Sequence, residues 1–395
     1  MDLSLTQDQE LIIQTAKQFA ISNLKPAVRF CEKYGTTNEG RARAKEIYAK
    51  AAKLGLTAMG YDSAYGGVES DPLTMGLVAE TLGRYGGLPK LESSAHLYGA
   101  FGPGLMVSKF GTAKQKEFWI PRLISGEAVL NIASTEPHCG SDASQLKTRA
   151  VKEAGSFIIN GEKQMVSGTR WPDAHLVFCR TSDEPGAKGI SAIIVDDNVK
   201  GVSKYNFETL GGIFWEIGGI LYKDVKVPVE NLVGEEGRGF QLMMGMFDWL
   251  RVLLGAECIG LAQAAIDESI EYVRQRTAFG QPIGKWESVQ FRIAEAATVL
   301  EAARWLTYST LTLASQGKPH TKESSMVKWW VPKVTFDIVN DMMQNKGASG
   351  YTTTSLDELR LRYIRALWVA DGTIDIQKIV IARELLGRDF IPYKK

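Results

Sequence analysis

Apolar positions in the first third of the chain recur at helical spacing. Leu11, Ile12, Ala16, Phe19 and Ala20 form one stripe, which Pro26 is expected to end or kink. A second helix is expected over 42–54, stopped by Gly55, and another over 73–82, stopped by Gly83. Tyr65-Gly66-Gly67 between them reads as a turn. The texture changes after Gly126. Short β-rich runs follow at 129–132, 156–159, 176–179, 191–195 and 225–227, separated by turn residues such as Asn160-Gly161 and Pro185-Gly186. From Gly239 the helical period returns, with runs over 239–274, 286–315, 322–345 and 375–386. The pattern predicts an α+β multidomain chain: an N-terminal α-helical domain over 1–125, a middle antiparallel β domain over 126–235, and a C-terminal four-helix bundle over 236–395.

Composition narrows the classes of function. The chain has 395 residues, 45% of them hydrophobic and 23% charged, which is ordinary for a globular protein. A net charge of +1 gives no reason to expect nucleic acid or an anionic membrane surface as partner. The first ten residues hold three acids and no basic residue, unlike a secretory or transit peptide. No uninterrupted apolar run reaches the roughly 18 residues of a membrane span, since the Met-rich stretch 240–254 is broken by Asp248 and Arg251. Leu242, Met243, Met244 and Met246 in that stretch read as core filling. Cys31, Cys139, Cys179 and Cys258 are scattered, so reduced thiols in a cytoplasmic compartment are expected. His96, His138, His175 and His320 show no zinc spacing, and no metal is expected. G-x-G-x-x-G, Walker A and G-x-S-x-G are all missing, which removes weight from nicotinamide, P-loop and serine-hydrolase chemistry.

One carboxylate stands where a proton-abstracting base is expected. Trp368-Val-Ala-Asp371-Gly372-Thr373 breaks an apolar run and opens the helical run beginning at Asp375. A helix start offers free backbone N–H groups, so this break aims a carboxylate and several donors at one spot.

Ser134-Thr135-Glu136-Pro137-His138-Cys139-Gly140-Ser141-Asp142 resembles the T-E-P-x-x-G-S-D loop of the acyl-CoA dehydrogenase family of flavoproteins, and further stretches, taken in order over nearly the whole chain, extend the resemblance. Asn160-Gly161-Glu162-Lys163-Gln164-Met165-Val166-Ser167 resembles its N-G-x-K-x-W-I-T/S strand, with Met165 where tryptophan is usual. Arg276-Thr-Ala-Phe279-Gly280-Gln-Pro-Ile283 resembles R-x-x-F-G. Gln344-Asn-Lys-Gly347-Ala348-Ser-Gly350-Tyr351 resembles Q-x-x-G-G-x-G-Y, with Ala348 for the second glycine. Phe247-Asp248-Trp-Leu250-Arg251 opens the long helix that follows Gly239, and Leu250 stands where some members carry their base. The fold order of the family, helical, then β, then a helical bundle, is the order read above.

The resemblance implies FAD as cofactor, with Ile132, Ser134, Thr135, Ser141, Met165, Ser167, Arg276, Phe279, Ile283, Gln344, Gly347, Ala348, Thr373 and Asp375 on the flavin side. It implies an acyl-CoA thioester substrate met by Ser141, Asp248, Leu250, Arg251, Ala370 and Gly372, with Asp371 as the catalytic base. In the family the base removes the α-proton while the β-hydrogen leaves as hydride to flavin N5. The thioester oxygen is held by a flavin hydroxyl and by the N–H of the base residue, here Asp371. The resemblance also implies an electron-transfer flavoprotein as acceptor and a homotetramer. Ala370-Asp371-Gly372-Thr373 departs from the usual Y-E-G-T: the base is one methylene shorter and a ring is gone from its neighbour. Both changes make room beside Cα, so a branched or alicyclic acyl group, of the cyclohexanecarboxyl-CoA type, is expected. Aromatics in Gly211-Gly-Ile-Phe-Trp-Glu216, where the family commonly carries arginine, read as loop packing. Two other readings stay open: a flavin oxidase similar to nitroalkane oxidase, which also uses aspartate, and a flavin-scaffold protein without dehydrogenase activity. The direction, dehydrogenation or enoyl-CoA reduction, is open as well.

Overall fold

A computed structural model describes residues 5–35, 37–87, 100–169, 172–211 and 217–390. Among these the helices are α1 Gln7–Phe19, α2 Lys25–Tyr34, α3 Asn38–Lys53, α4 Pro72–Gly86, α5 Leu105–Phe110, α6 Ala113–Ser125, α7 Gly239–Gln275, α8 Glu287–Ser315, α9 Thr321–Asn345, α10 Asp357–Ala366 and α11 Ile374–Leu386. The strands that build the sheet are β1 Leu130–Ala133, β2 Arg149–Glu153, β3 Ser156–Ser167, β4 Ala174–Arg180, β5 Ile190–Asp196, β6 Val202–Phe207, β7 Ile217–Pro228 and β8 Leu232–Val233. The chain forms two compact units. One gathers Met1–Val28, Asp71–Pro89 and Asp248–Lys395; the other gathers Arg29–Ser70 and Lys90–Phe247.

In the first unit the helix ends follow local chemistry. Thr6 and Gln9 close a capping box at the start of α1. Asp71 caps α4 and Pro72 takes its first turn, where a missing N–H costs nothing. Pro26 does not end the first helical run: a five-residue π-helical segment, Ala20–Leu24, absorbs it and α2 continues. Gly83 does not stop α4 either, because its role is close approach. A Cβ on Gly83 would lie 2.7 Å from the Glu257 carbonyl oxygen, and one on Gly260 would lie 2.1 Å from that of Glu80. The backbones of α4 and α7 therefore cross through two glycines. The long helices α7, α8, α9 and α11 match the expected runs, and α10 is an additional helix that the period did not reveal. Leu242, Met243 and Met246 are buried, as core filling requires. By length and composition α7 could cross a membrane, but 89% of its apolar window is buried inside the protein.

In the second unit the sheet runs in the order β6-β7-β3-β2-β4-β5-β8, with β1 added beside β4. Most pairings are antiparallel, while β1 and β4 run parallel. Ala133, Phe157, Ile159, Val166, Val177, Ile193, Ile220 and Val225 fill one core cluster. Asn160-Gly161 is not the turn that the sequence suggested. It lies inside β3 at a register shift against β7, and the actual β2–β3 turn is Ala154-Gly155, both at positive φ. All four cysteines are buried, and none is disulfide-bonded.

Candidate active site

In the helical unit, Asp371 sits on the turn between α10 and α11. Its φ is +51°, a left-handed conformation uncommon outside glycine, and Gly372 follows at φ +90°. Three side chains from three helices hold three carbonyls in and before this turn. Arg251 on α7 donates from Nε to the Asp371 oxygen at 3.1 Å. Lys328 on α9 donates from Nζ to the Leu367 oxygen at 2.5 Å and to the Gly372 oxygen at 3.3 Å. Gln377 on α11 donates from Nε2 to the same Gly372 oxygen at 3.2 Å. With the carbonyls taken, the Asp371 N–H meets no acceptor and its carboxylate no hydrogen-bond donor among the described residues. The half-buried carboxylate and the adjacent N–H thus remain for a ligand. A Cβ on Gly372 would lie 2.7 Å from Gln377 Nε2, so glycine is what lets the clamp close.

The cations around this turn carry a desolvation load. Burial pushes the Arg251 guanidinium below its ordinary value, against the pull of Asp248 and Asp371. Burial likewise pushes the fully enclosed Lys328 ammonium down to about 8, with Asp371 opposing and Arg251 adding to the fall. Asp248 accepts from Arg251 at 3.2 Å and from the Thr321 hydroxyl at 2.6 Å, so both its oxygens are engaged. Leu250 is buried in α7 and carries no chemistry of its own. Thr373 caps α11 by accepting from the Ile376 N–H at 3.3 Å. Asp375 lies on the surface with Lys378 at 3.3 Å.

In the β unit, the loop that follows β1 is fixed from below. Lys163, fully buried on β3, donates to the Ser134 carbonyl at 3.0 Å and to the Glu136 carboxylate at 2.7 Å. Burial works to raise the Glu136 carboxyl, but Lys163 together with the Lys147 and Thr148 N–H groups overrides it and holds it low. The Gln164 N–H ties the Thr135 carbonyl at 2.7 Å. Glu136, His138 and Cys139 place ligand atoms within 4.8 Å of one another, yet the Lys163 ammonium already supplies the cation at that carboxylate. Met165 has φ +55° at the second register shift of β3 and is 54% exposed, with Ser167 exposed beyond the buried Val166. The hydroxyls of Ser134, Thr135, Ser141 and Ser167 have no partner among the described residues. Ile132 is half-buried on β1. An array of unpartnered hydroxyls on a braced loop and at a strand end suits the polar rim of a flavin.

The two remaining matched segments lie in the helical unit. Ile283 donates its N–H to the Arg276 carbonyl at 2.8 Å, closing a small hairpin. The Tyr272 hydroxyl reaches that of Ser349 at 3.5 Å, which brings this hairpin beside the 347–349 turn. Gly347 has φ +56°. Ala348 needs no left-handed backbone, so the missing second glycine costs this turn nothing. Arg276 and Gln344 are exposed, and neither side chain has a partner among the described residues. Free donors of this kind fit a nucleotide's phosphates. Residues 212–216, with the aromatics noted in the sequence, lie outside the described residues. Sequence reasoning missed the clamp formed by Lys328 and Gln377; the available signal was a lysine inside the apolar run Met326-Val-Lys328-Trp-Trp-Val.

Comparison with known proteins places this geometry. The N-terminal, middle and C-terminal domains of acyl-CoA dehydrogenase match residues 6–127, 131–225 and 237–386. The chain belongs to the acyl-CoA dehydrogenase family, an FAD-dependent group of oxidoreductases acting on acyl-CoA thioesters. It is 34% identical over 391 residues to the acryloyl-CoA reductase (NADH) of Anaerotignum propionicum, covering 98% of this chain and 97% of that protein. It is 34% identical over 384 residues to the 3-(aryl)acrylate reductase of Clostridium sporogenes, covering 96% and 99%. The solved butyryl-CoA dehydrogenase of Megasphaera elsdenii is similar with a TM-score of 0.90 at 29% identity, covering 98% of this chain and all of that one.

Proposed function

We propose that this protein interconverts an acyl-CoA thioester and its α,β-unsaturated counterpart, with Asp371 moving the α-proton and a branched or alicyclic acyl group as substrate. The observation that carries this reading is the clamped turn: a carboxylate with no donor among the described residues, next to a peptide N–H with no acceptor among them. The α-C–H of a thioester is a weak acid, so negative charge must be stabilised on the thioester oxygen as the proton leaves. The Asp371 N–H is the donor this chain offers for that oxygen, and the carboxylate of the same residue takes the proton. Arg251 and Lys328 hold the turn from behind and add positive charge near the developing enolate. FAD, when bound, supplies the two-electron acceptor for the hydrogen leaving Cβ. Ser134, Thr135, Ser141 and Ser167 would hold the flavin rim, and Arg276 and Gln344 the nucleotide portion of a cofactor.

The substrate class rests on Ala370 and on the short reach of Asp371. The names of two relatives favour the reductive direction as a second reading, and one of them is named for aryl-substituted acrylate. An electron-transfer flavoprotein is the proposed partner, and a homotetramer located in the cytoplasm is the proposed state. Asp371→Asn tests the base. The variant is expected to retain FAD and to lose flavin bleaching by acyl-CoA; bleaching at the native rate would remove Asp371 from the reaction. Rapid reoxidation of the reduced flavin by oxygen would favour the oxidase instead.

A further inference from the structure

Lys328 is an unusual residue to find at the centre of a helical bundle. It is wholly buried on α9, and Pro332, one turn later, leaves the Lys328 carbonyl without its helical N–H donor. The Trp368 indole donates to the Pro332 carbonyl at 3.2 Å and packs against Phe336 with ring centroids 5.5 Å apart, which pins the segment after α10 to this level of α9. The Lys328 ammonium bridges both ends of that segment, Leu367 before Asp371 and Gly372 after it. A buried ammonium costs several kcal/mol in desolvation, and a methionine of similar length would fill the same space without that cost. What the lysine adds over a methionine is the pair of donor contacts to the Leu367 and Gly372 carbonyls and a positive charge beside Asp371.

We propose that Lys328 is a positioning residue for the reaction: by gripping the Leu367 and Gly372 carbonyls it turns the Asp371 N–H and carboxylate outward, and its charge lowers the energy of the enolate that forms beside them. This rests on the reading of Asp371 as base. The titratable and charged groups facing Lys328 are Asp371 on the turn and Arg251 and Cys258 on α7; Gln377 faces the same carbonyl from α11 without titrating. Arg251 reaches the Asp371 carbonyl and Gln377 that of Gly372, whereas Lys328 spans Leu367 and Gly372.

The test compares holoenzyme variants by steady-state kinetics with a reactive acyl-CoA, by flavin content, and by the pH profile of kcat from 6.5 to 9.5. Lys328→Met is expected to keep FAD, to lower kcat on the order of ten- to a hundred-fold, as misplacing a reacting group does, and to change KM little. Native enzyme is expected to lose kcat as pH rises through about 8, where the ammonium loses its proton, and Lys328→Met is expected to lack that limb. A folded Lys328→Met with native kcat overturns the proposal. If the variant does not fold, the native profile decides: kcat that stays flat from pH 7 to 9.5 overturns it, and a falling limb near pH 8 supports it. Asp371→Asn separates the two ideas. An active Asp371→Asn sinks the base assignment, whereas an inactive one beside a fully active Lys328→Met sinks only the role of Lys328.

Discussion

At the scale of single residues, two departures from the family pattern, Ala370 and Asp371, fall on one turn. Asp371 takes a left-handed φ that an alanine-sized change at Gly372 could not accommodate, since the clamp closes onto Gln377 there. Ala370, half-buried beside the base, is where a ring is expected from the resemblance. If the missing ring makes room for a bulky acyl group, restoring it should penalise bulk alone. Ala370→Tyr is expected to lower kcat/KM for cyclohexanecarboxyl-CoA relative to butyryl-CoA by roughly ten-fold or more, since pocket-size discrimination is worth about 1–3 kcal/mol. The ratio of the two specificity constants is the measurement; an unchanged ratio would mean that Ala370 does not set acyl size. Asp371, Arg251 and Gly372 were all legible in the sequence because they occupy motif positions. Lys328 was not, because burial of a cation is decided by the helices around it and leaves only a faint mark on the local pattern.

At the scale of elements, a polar cluster joins α7, the end of α9 and α10. Arg360, 1% exposed, donates twice to Glu268, at 2.7 Å each, and once to Asp357 at 2.8 Å. Lys346 reaches Asp357 at 2.7 Å and Glu268 at 3.2 Å. Burial works to raise the Glu268 carboxyl, but Arg360 and Lys346 override it and pull it down to about 2. The sign follows: the unfolded carboxyl binds a proton more readily, so the stabilisation is complete above about 4.5 and is lost as pH falls toward 2. Glu268→Gln is expected to cost about 2 kcal/mol at pH 7 in urea unfolding, less than a fully enclosed pair because the Glu268 side chain is 34% exposed. Its stability should also fall less steeply than the native protein's between pH 4.5 and 2. An equal urea midpoint at pH 7 would refute the estimate. The helix α10 that carries Arg360 escaped the sequence reading because its ten residues hold three arginines, an aspartate and a glutamate. An apolar stripe is the signal that the period detects, and here a buried salt network takes its place. Asn160-Gly161 misled in the opposite way: an excellent turn dipeptide serves as a bulge, while Ala154, a poor one, makes the turn.

At the scale of the whole molecule, the order helical, β, helical was legible because the hydrophobic period changes from 3.6 to 2 and back. What the period cannot show is which surfaces a second chain covers. Phe279 is 93% exposed and Tyr351 85% exposed, and both lie in segments whose free donors, Arg276 and Gln344, fit a nucleotide. Large aromatics left in water beside unpartnered donors are characteristic of surfaces that another molecule covers. Phe279 also holds φ +51°, a strained backbone, with its ring edge-on to Trp286 at 6.1 Å between centroids. Strain of that kind persists where binding offsets it. If the proposed homotetramer forms, a second copy would cover these rings and complete the cofactor site, so that flavin retention and assembly would become one equilibrium. Phe279→Ser combined with Tyr351→Ser should then lower the sedimenting mass and release FAD together, the loss growing on dilution. Because both side chains are already exposed in the single chain, thermal unfolding of the flavin-free protein should move little. A variant that keeps native mass and full flavin content at sub-micromolar concentration would show that these aromatics serve neither assembly nor cofactor. One that loses FAD at unchanged mass would place them at the nucleotide alone.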